Sequence, residues 1–292
     1  MLVGHNPAAA QVIRIDSTSH WKKAFKVGLN LNQAAFSSNW KAGGVNSMGY
    51  NSLLNYKANY KKDKHSWDNE LDFLYGSVNN QGQGRRKTMD RIFMDTKYGH
   101  VINAKWDWII SANLQTQFAA GYKYDEDSTG VSETLISDFF APAFITAALG
   151  FEYHPADYFK LRLSPIAPRV TIVNDPQRFV TADNPKPYGV DPTRTTRFEW
   201  YAFQMLADFN KDIAKNLNLK CRYVLFINYQ TLEYKKFDHR VDLNLVAKVN
   251  RFVNVTLGGI LLYDYDQDTK VQLSQAFSLG VLYSFQNYEE KK

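Results

Sequence analysis

This 292-residue chain is poor in the features that mark the commonest protein classes. It has one cysteine, Cys221, so no internal disulfide forms. No stretch approaches the roughly 18 consecutive apolar residues that a membrane helix needs, and the mean hydropathy is -0.42. A helical membrane protein is therefore excluded. Met1–Ser19 has no charged leading segment, and its apolar stretch is broken at Gly4, His5, Asn6 and Pro7. It does not read as an export signal, so the chain is expected to be mature or to lack its start. Long blocks of one charge are also missing. The net charge is +6, yet only Arg85-Arg86-Lys87 and Tyr60-Lys61-Lys62-Asp63-Lys64 stand out. Both lie between patterned segments and read as solvated loop charge, so nucleic acid is not an expected partner.

Aromatic residues are plentiful, at 15% of the chain, with 18 Tyr and 6 Trp. They recur in segments that alternate with a period of two. In Ala276–Phe285, Phe277, Leu279, Val281, Tyr283 and Phe285 share one face, while Ser278, Gly280, Leu282 and Ser284 share the other. Alternation with aromatic ends is the pattern of a strand that meets lipid on one side and a lumen on the other. In such barrels the two faces average out, which hides the membrane signal from hydropathy.

Twelve such segments are predicted: Ala24–Asn32, Met48–Tyr60, Ser66–Gly76, Thr88–Val101, Trp106–Phe118, Ala143–Tyr153, Tyr158–Ser164, Arg197–Asn210, Leu217–Gln230, His239–Val249, Phe252–Tyr265 and Val271–Gln286. Their connections alternate between short turns and generally longer loops. An even strand count puts every short turn at the end that holds both termini. The expected fold is all-β: a single antiparallel transmembrane β-barrel of about twelve strands over residues 24–286. An N-terminal extension, 1–23, and a tail, 287–292, would both lie in the periplasm. A soluble β-sandwich also alternates, but it would turn Trp, Tyr and Phe inward and would not need strands longer than ten residues.

Four motifs, in order, carry a family resemblance. They are Trp40-Lys41-Ala42-Gly43-Gly44-Val45-Asn46-Ser47, Thr116-Gln117-Phe118 with Gly121-Tyr122, Ser137-Asp138-Phe139-Phe140-Ala141-Pro142, and Leu163-Ser164-Pro165. From about Trp21 onward the chain resembles an outer-membrane β-barrel family of Bacteroidota known as a domain of unknown function. The resemblance implies an integral barrel in the outer membrane of a Gram-negative bacterium and brings no activity with it. The last strand is similar to the terminal strand that barrel-assembly machinery recognises. Lipids would surround the barrel, and Arg85-Arg86-Lys87 is a candidate contact for lipopolysaccharide.

No catalytic constellation emerges. Of six His, only His239 sits at the outer rim, and its neighbour Asp238 must point to the opposite face. Asp264, Asp266 and Asp268 alternate in a hairpin but lack the Gly and terminal Glu of a calcium loop, so no metal and no cofactor is expected. Cys221 reads as a small lipid-facing residue. The inward faces carry more information. They hold Asp68, Glu70, Asp72, Asp95, Lys97, Asp107, Lys160, Arg162, Asp208, Lys220, Arg222, Arg240, Asp242 and Lys248. Acids gather on the third to fifth segments and bases on the seventh, ninth and tenth. Inside a barrel these charges must pair or stay hydrated, so they form either a lumen-filling network or the wall of a narrow conduit. The proline-rich loop Pro165–Thr196 would either fold into the mouth or dock a neighbour. Ala34–Ser47, with Trp40, Gly43 and Gly44, is a second candidate docking loop. These features lead to an expected non-enzymatic accessory or scaffold subunit bound to other outer-membrane proteins or lipoproteins. A narrow channel for small polar solutes or ions is the alternative, and a rim-located lipid-modifying enzyme a third.

Overall fold

A computed structural model describes residues 20–37, 39, 41, 44–127, 130–182, 184–250 and 253–287. They form sixteen strands, labelled in chain order: β1 (Trp21–Ala34), β2 (Ser47–Lys62), β3 (His65–Asn80), β4 (Gly84–Val101), β5 (Trp106–Thr116), β6 (Gly121–Asp127), β7 (Gly130–Ser137), β8 (Ala143–Ala156), β9 (Phe159–Ile166), β10 (Arg169–Ile172), β11 (Thr196–Glu199), β12 (Ala202–Ala214), β13 (Leu217–Asn228), β14 (Asp238–Lys248), β15 (Val253–Asp264) and β16 (Asp268–Gln286).

Twelve of them close into one antiparallel barrel, in the order β1-β2-β3-β4-β5-β8-β9-β12-β13-β14-β15-β16. The ring closes where β1 meets β16, with Ala24 opposite Gln286 and Asn30 opposite Gly280. Closure leaves no sheet edge unpaired, which lipid would not tolerate. Strands β10 and β11 are not additional staves. Ser164 lies opposite Gln204 and Arg169 opposite Glu199, a single register, so β9–β10 and β11–β12 are two long strands interrupted at the same level. Pro168, which has no N–H to give to a ladder, sits at the break. Strands β6 and β7 form a separate hairpin outside the barrel wall.

The alternation decides which face meets lipid. Phe277, Leu279, Val281 and Tyr283 on β16 and Phe25, Val27, Leu29 and Leu31 on β1 are all exposed, while Phe285 is partly covered. Aromatic rings gather near both rims. At the turn end Trp21 and Tyr60 are 5.3 Å apart and Trp106 and Tyr153 4.9 Å; at the loop end Phe73 meets Phe118 at 5.8 Å. An exposed apolar band bordered by such rings is the outer surface of a membrane-spanning barrel.

Several expected boundaries move. The connection expected at Val78–Lys87 shrinks to 81–83, because β3 and β4 continue through it past a bulge beside Gly76. Beyond the membrane a strand needs no apolar face, so charge there does not end it. Likewise the turn expected at Asp266–Lys270 is 265–267, and the long loop begins at 173 rather than at Pro165.

Candidate functional site in the barrel lumen

The charged inward faces meet across the lumen. Glu70 on β3 accepts from Lys57 at 3.1 Å, from Lys220 at 3.3 Å and from Arg222 Nη2 at 2.9 Å. Strands β3 and β13 are separated by five strands in either direction around the ring, so this tie joins opposite walls. The same holds one strand further on. Arg91 on β4 reaches Asp242 on β14 at 3.0 Å, and Arg240 grips that carboxylate with two bonds of 2.7 Å. Arg91 also approaches Asp72 at 3.5 Å, and Arg222 Nε donates to Asp208 at 2.6 Å. Phe93 lies beneath both arginines, 5.0 Å from the Arg222 guanidinium and 5.9 Å from that of Arg91.

A second chain of pairs lies on the β3–β9 side. Lys97, only 1% exposed, holds Asp68 at 2.9 Å and Glu152 at 2.7 Å. Arg162 continues it, from Glu152 at 3.1 Å to Asp95 at 2.9 Å. Every charge in this chain has an oppositely charged partner, as burial demands. Lys160 stands within charge range of Asp68 and Glu152. Asp107 lies near the turn end, 3.3 Å from His154 Nε2. Lys248 is exposed at the end of β14 and has no ion pair among the described residues, so it takes no part in the network.

Further charged groups join the lumen, Glu152 among them, which shares the inward parity of β8. Lys57 and Arg91 lie on the same alternating faces as Asn55 and Phe93, so the period-two pattern could have found them. Arg169 bonds Glu199 and Asp238 at 2.7 Å each near the loop end. It lies in a stretch expected to be loop, where no alternation pointed to it. Asp238 and His239 do turn to opposite faces: His239 Nδ1 meets Tyr223 Oη at 2.8 Å on the outside. Asp264, Asp266 and Asp268 are engaged by Gln267, Arg197 and the Lys270 N–H respectively. No metal-ligating group of three side chains occurs among the described residues.

The loop 173–195 folds across the mouth. Val173, Phe179 and Val190 pack with Ala141 into a small buried core, with Leu135 and Tyr188 against it. Tyr188 donates its hydroxyl to the Ile136 carbonyl beside the β6–β7 hairpin, and Arg178 bonds Asp138 at 3.0 Å. On the other side Gly189, at φ +71, passes so close to Arg197 and Asp266 that a Cβ would collide with both. The loop thus touches walls on opposite sides. Of the second candidate loop, Trp40 and Gly43 lie outside the described residues, and Gly44 packs on the Phe36 ring at φ +144. In Arg85-Arg86-Lys87, Arg85 bonds Tyr50, Arg86 stacks 4.1 Å from the Tyr124 ring, and Lys87 bonds Asp90 at 2.9 Å and the Ala119 carbonyl at 2.7 Å, beside the β6–β7 hairpin.

The charged ties leave space along the opposite wall, where, apart from Lys26, the lining residues of β1, β15 and β16 are neutral. Two cavities of about 260 and 230 Å³ follow one another there and share Leu74, Met89, Arg91, Ile260 and Ser274. The first reaches Asn210 and Asn218 toward the turn end, and the second reaches Gln267 at the loop end.

Residues 31–122 match a family described as "Protein of unknown function (DUF3078)". No curated protein matches the chain. Among solved structures, an outer membrane channel from Pseudomonas putida F1 is similar over 97% of this chain and 100% of its own, at 9% identity and a TM-score of 0.40. The translocator domain of the autotransporter NalP from Neisseria meningitidis is similar over 90% and 87%, at 9% identity and a TM-score of 0.36. The toluene transporter TodX of Pseudomonas putida is similar over 92% and 89%, at 8% identity and a TM-score of 0.32.

Proposed function

We propose that this barrel is a narrow, largely closed conduit for small polar solutes in the outer membrane of a Gram-negative bacterium, with both termini in the periplasm. The pair of adjoining cavities along the neutral wall carries the reading. The cross-lumen ties confine passage to that side, Leu74, Met89 and Ile260 narrow it midway, and the loop 173–195 covers the outer end. Apolar constrictions of this kind hold a pore shut by excluding water. Small-conductance steps from the refolded barrel in planar bilayers are the expected result. A barrel that migrates as folded and passes neither ions nor polyols would overturn the reading.

One observation favours a second reading, an accessory subunit docked to other outer-membrane proteins or lipoproteins. Phe198 and Trp200 stack at 5.3 Å on the outer surface, and Trp200, Tyr201, Leu232 and Tyr234 are all strongly exposed at that rim. Large exposed aromatics suit an interface centre. A stoichiometric partner that survives gentle extraction, and is lost with Trp200→Ser, supports docking; a monomer in several mild detergents counts against it. In either case β16 is the segment offered to the assembly machinery.

A further inference from the structure

The larger cavity has an unusual lining. Seven asparagines, carried on β1, β2, β12, β13, β14 and β15, border it. Cations border it too, but each is already held. Lys57, Lys220 and Arg222 share Glu70, Arg91 lies between Asp242 and Asp72, and Lys26 is also engaged. The cavity therefore presents amides without a free charge. Two of the lining asparagines carry an unspent amide oxygen: Oδ1 of Asn244 and Oδ1 of Asn254 are buried without a hydrogen-bond partner, as is Arg91 Nε, and a turn of either side chain presents its oxygen to the cavity. Asn254 is 7% exposed, and its Nδ2 is occupied by Thr256 at 3.1 Å. Buried acceptors of this kind are normally satisfied.

Space is kept open beside them. Gly258 lies opposite Asn244 in the β14–β15 register, and a Cβ there would meet nothing nearer than the Ala276 carbonyl at 3.9 Å. About 260 Å³ is the share of roughly nine waters at about 30 Å³ each. That is enough for a small polyol and too little for an oligosaccharide. No aromatic ring lines the cavity, so a planar ligand finds no stacking surface.

We propose that this amide-lined cavity is a binding site for a small uncharged polyol, whose hydroxyls donate to the free oxygens of Asn244 and Asn254. The proposal rests on the conduit reading only for the ligand's route of entry. Neutral solutes are favoured because a charged one would have to break an existing ion pair.

The test uses the full chain, purified in detergent, with glycerol, D-glucose and the trisaccharide raffinose as probes. Saturable binding of glycerol or glucose, with none of raffinose, is expected by equilibrium dialysis. Asn244→Ala and Asn254→Ala should each weaken it about tenfold. Gly258→Leu, which fills the cavity, should abolish it while the barrel keeps its folded gel migration. Absence of saturable binding by the folded wild type, or binding unchanged in Gly258→Leu, would overturn the proposal. The same polyol should reduce ion current through the barrel. Binding without any current leaves the site standing and removes the conduit; current that no polyol and no Gly258→Leu change affects does the reverse.

Discussion

Replacing Glu70 with Gln tests whether the opposite walls are held together by charge. The substitution keeps the shape and removes the one carboxylate that Lys57, Lys220 and Arg222 share. The three cations lose unequal amounts. Lys57 and Lys220 have side chains about a third exposed, at 34% and 31%, so each rehydrates, and each loss is worth about 0–1 kcal/mol. Arg222 is 11% exposed at its side chain and keeps Asp208 at 2.6 Å. Removing one partner of a buried pair costs about 3–5 kcal/mol when nothing replaces it. With one of two carboxylates retained, roughly half of that applies. The expected cost of Glu70→Gln is thus about 1.5–4.5 kcal/mol, against less than about 1 kcal/mol for Lys220→Met. Reversible urea unfolding in lipid vesicles, followed by tryptophan fluorescence, measures both. A double-mutant cycle on Glu70 and Arg222 should show coupling above about 1 kcal/mol. Equal costs for the two single changes, with no coupling in the cycle, would refute a charge-tied lumen.

Arg91→Ser removes the cation shared by both cavities and by the β4–β14 tie, so single-channel conductance should rise several-fold; an unchanged conductance contradicts the proposed path. At Gly150 a Cβ would meet the Leu163 carbonyl oxygen at 2.1 Å and Ser164 Cα at 2.6 Å, both backbone, whereas Gly259 has nothing within 4 Å. Gly150→Ala should therefore prevent closure between β8 and β9 and abolish heat-modifiable migration, and Gly259→Ala should leave it intact. Tyr188→Phe deletes the hydroxyl bond to Ile136, at a cost of about 1 kcal/mol, and should speed proteolysis within 173–195. Burial, then the charge of Asp264, pushes the Tyr188 phenol up. Its neutral form is the one the fold favours, so its contribution is complete below the ordinary tyrosine value of about 10 and fades as pH rises above it. Proteolysis of the wild-type loop should accelerate in that alkaline range, and a Tyr188→Phe loop that shows the same acceleration would assign it elsewhere.

Local alternation was enough to place the twelve barrel segments, though not their ends or the β6–β7 hairpin. A residue's face follows from its parity along the chain, so twelve segments, their inward charges and their lipid-facing aromatics were legible from residues such as Trp108 and Ile110 against Asp107 and Ser111. Turn length gave the even count. Parity says nothing, however, about which strand stands opposite which. That depends on closure and on the registers that stagger the ring, and only closure sets Glu70 against Arg222, 152 positions apart in the chain. Strand ends outside the lipid were hidden for a related reason: in water both faces can be polar, so β3 and β4 continue through Asn79 and Arg85 without an alternating signal. The course of loop 173–195 depends on contacts with the β6–β7 hairpin and the β15–β16 turn, which no local pattern encodes. The asparagine cavity is the clearest case. Each amide lies on the inward parity of its own strand. That seven of them border one space is a property of the closed ring, created where the paired charges of the opposite wall leave off.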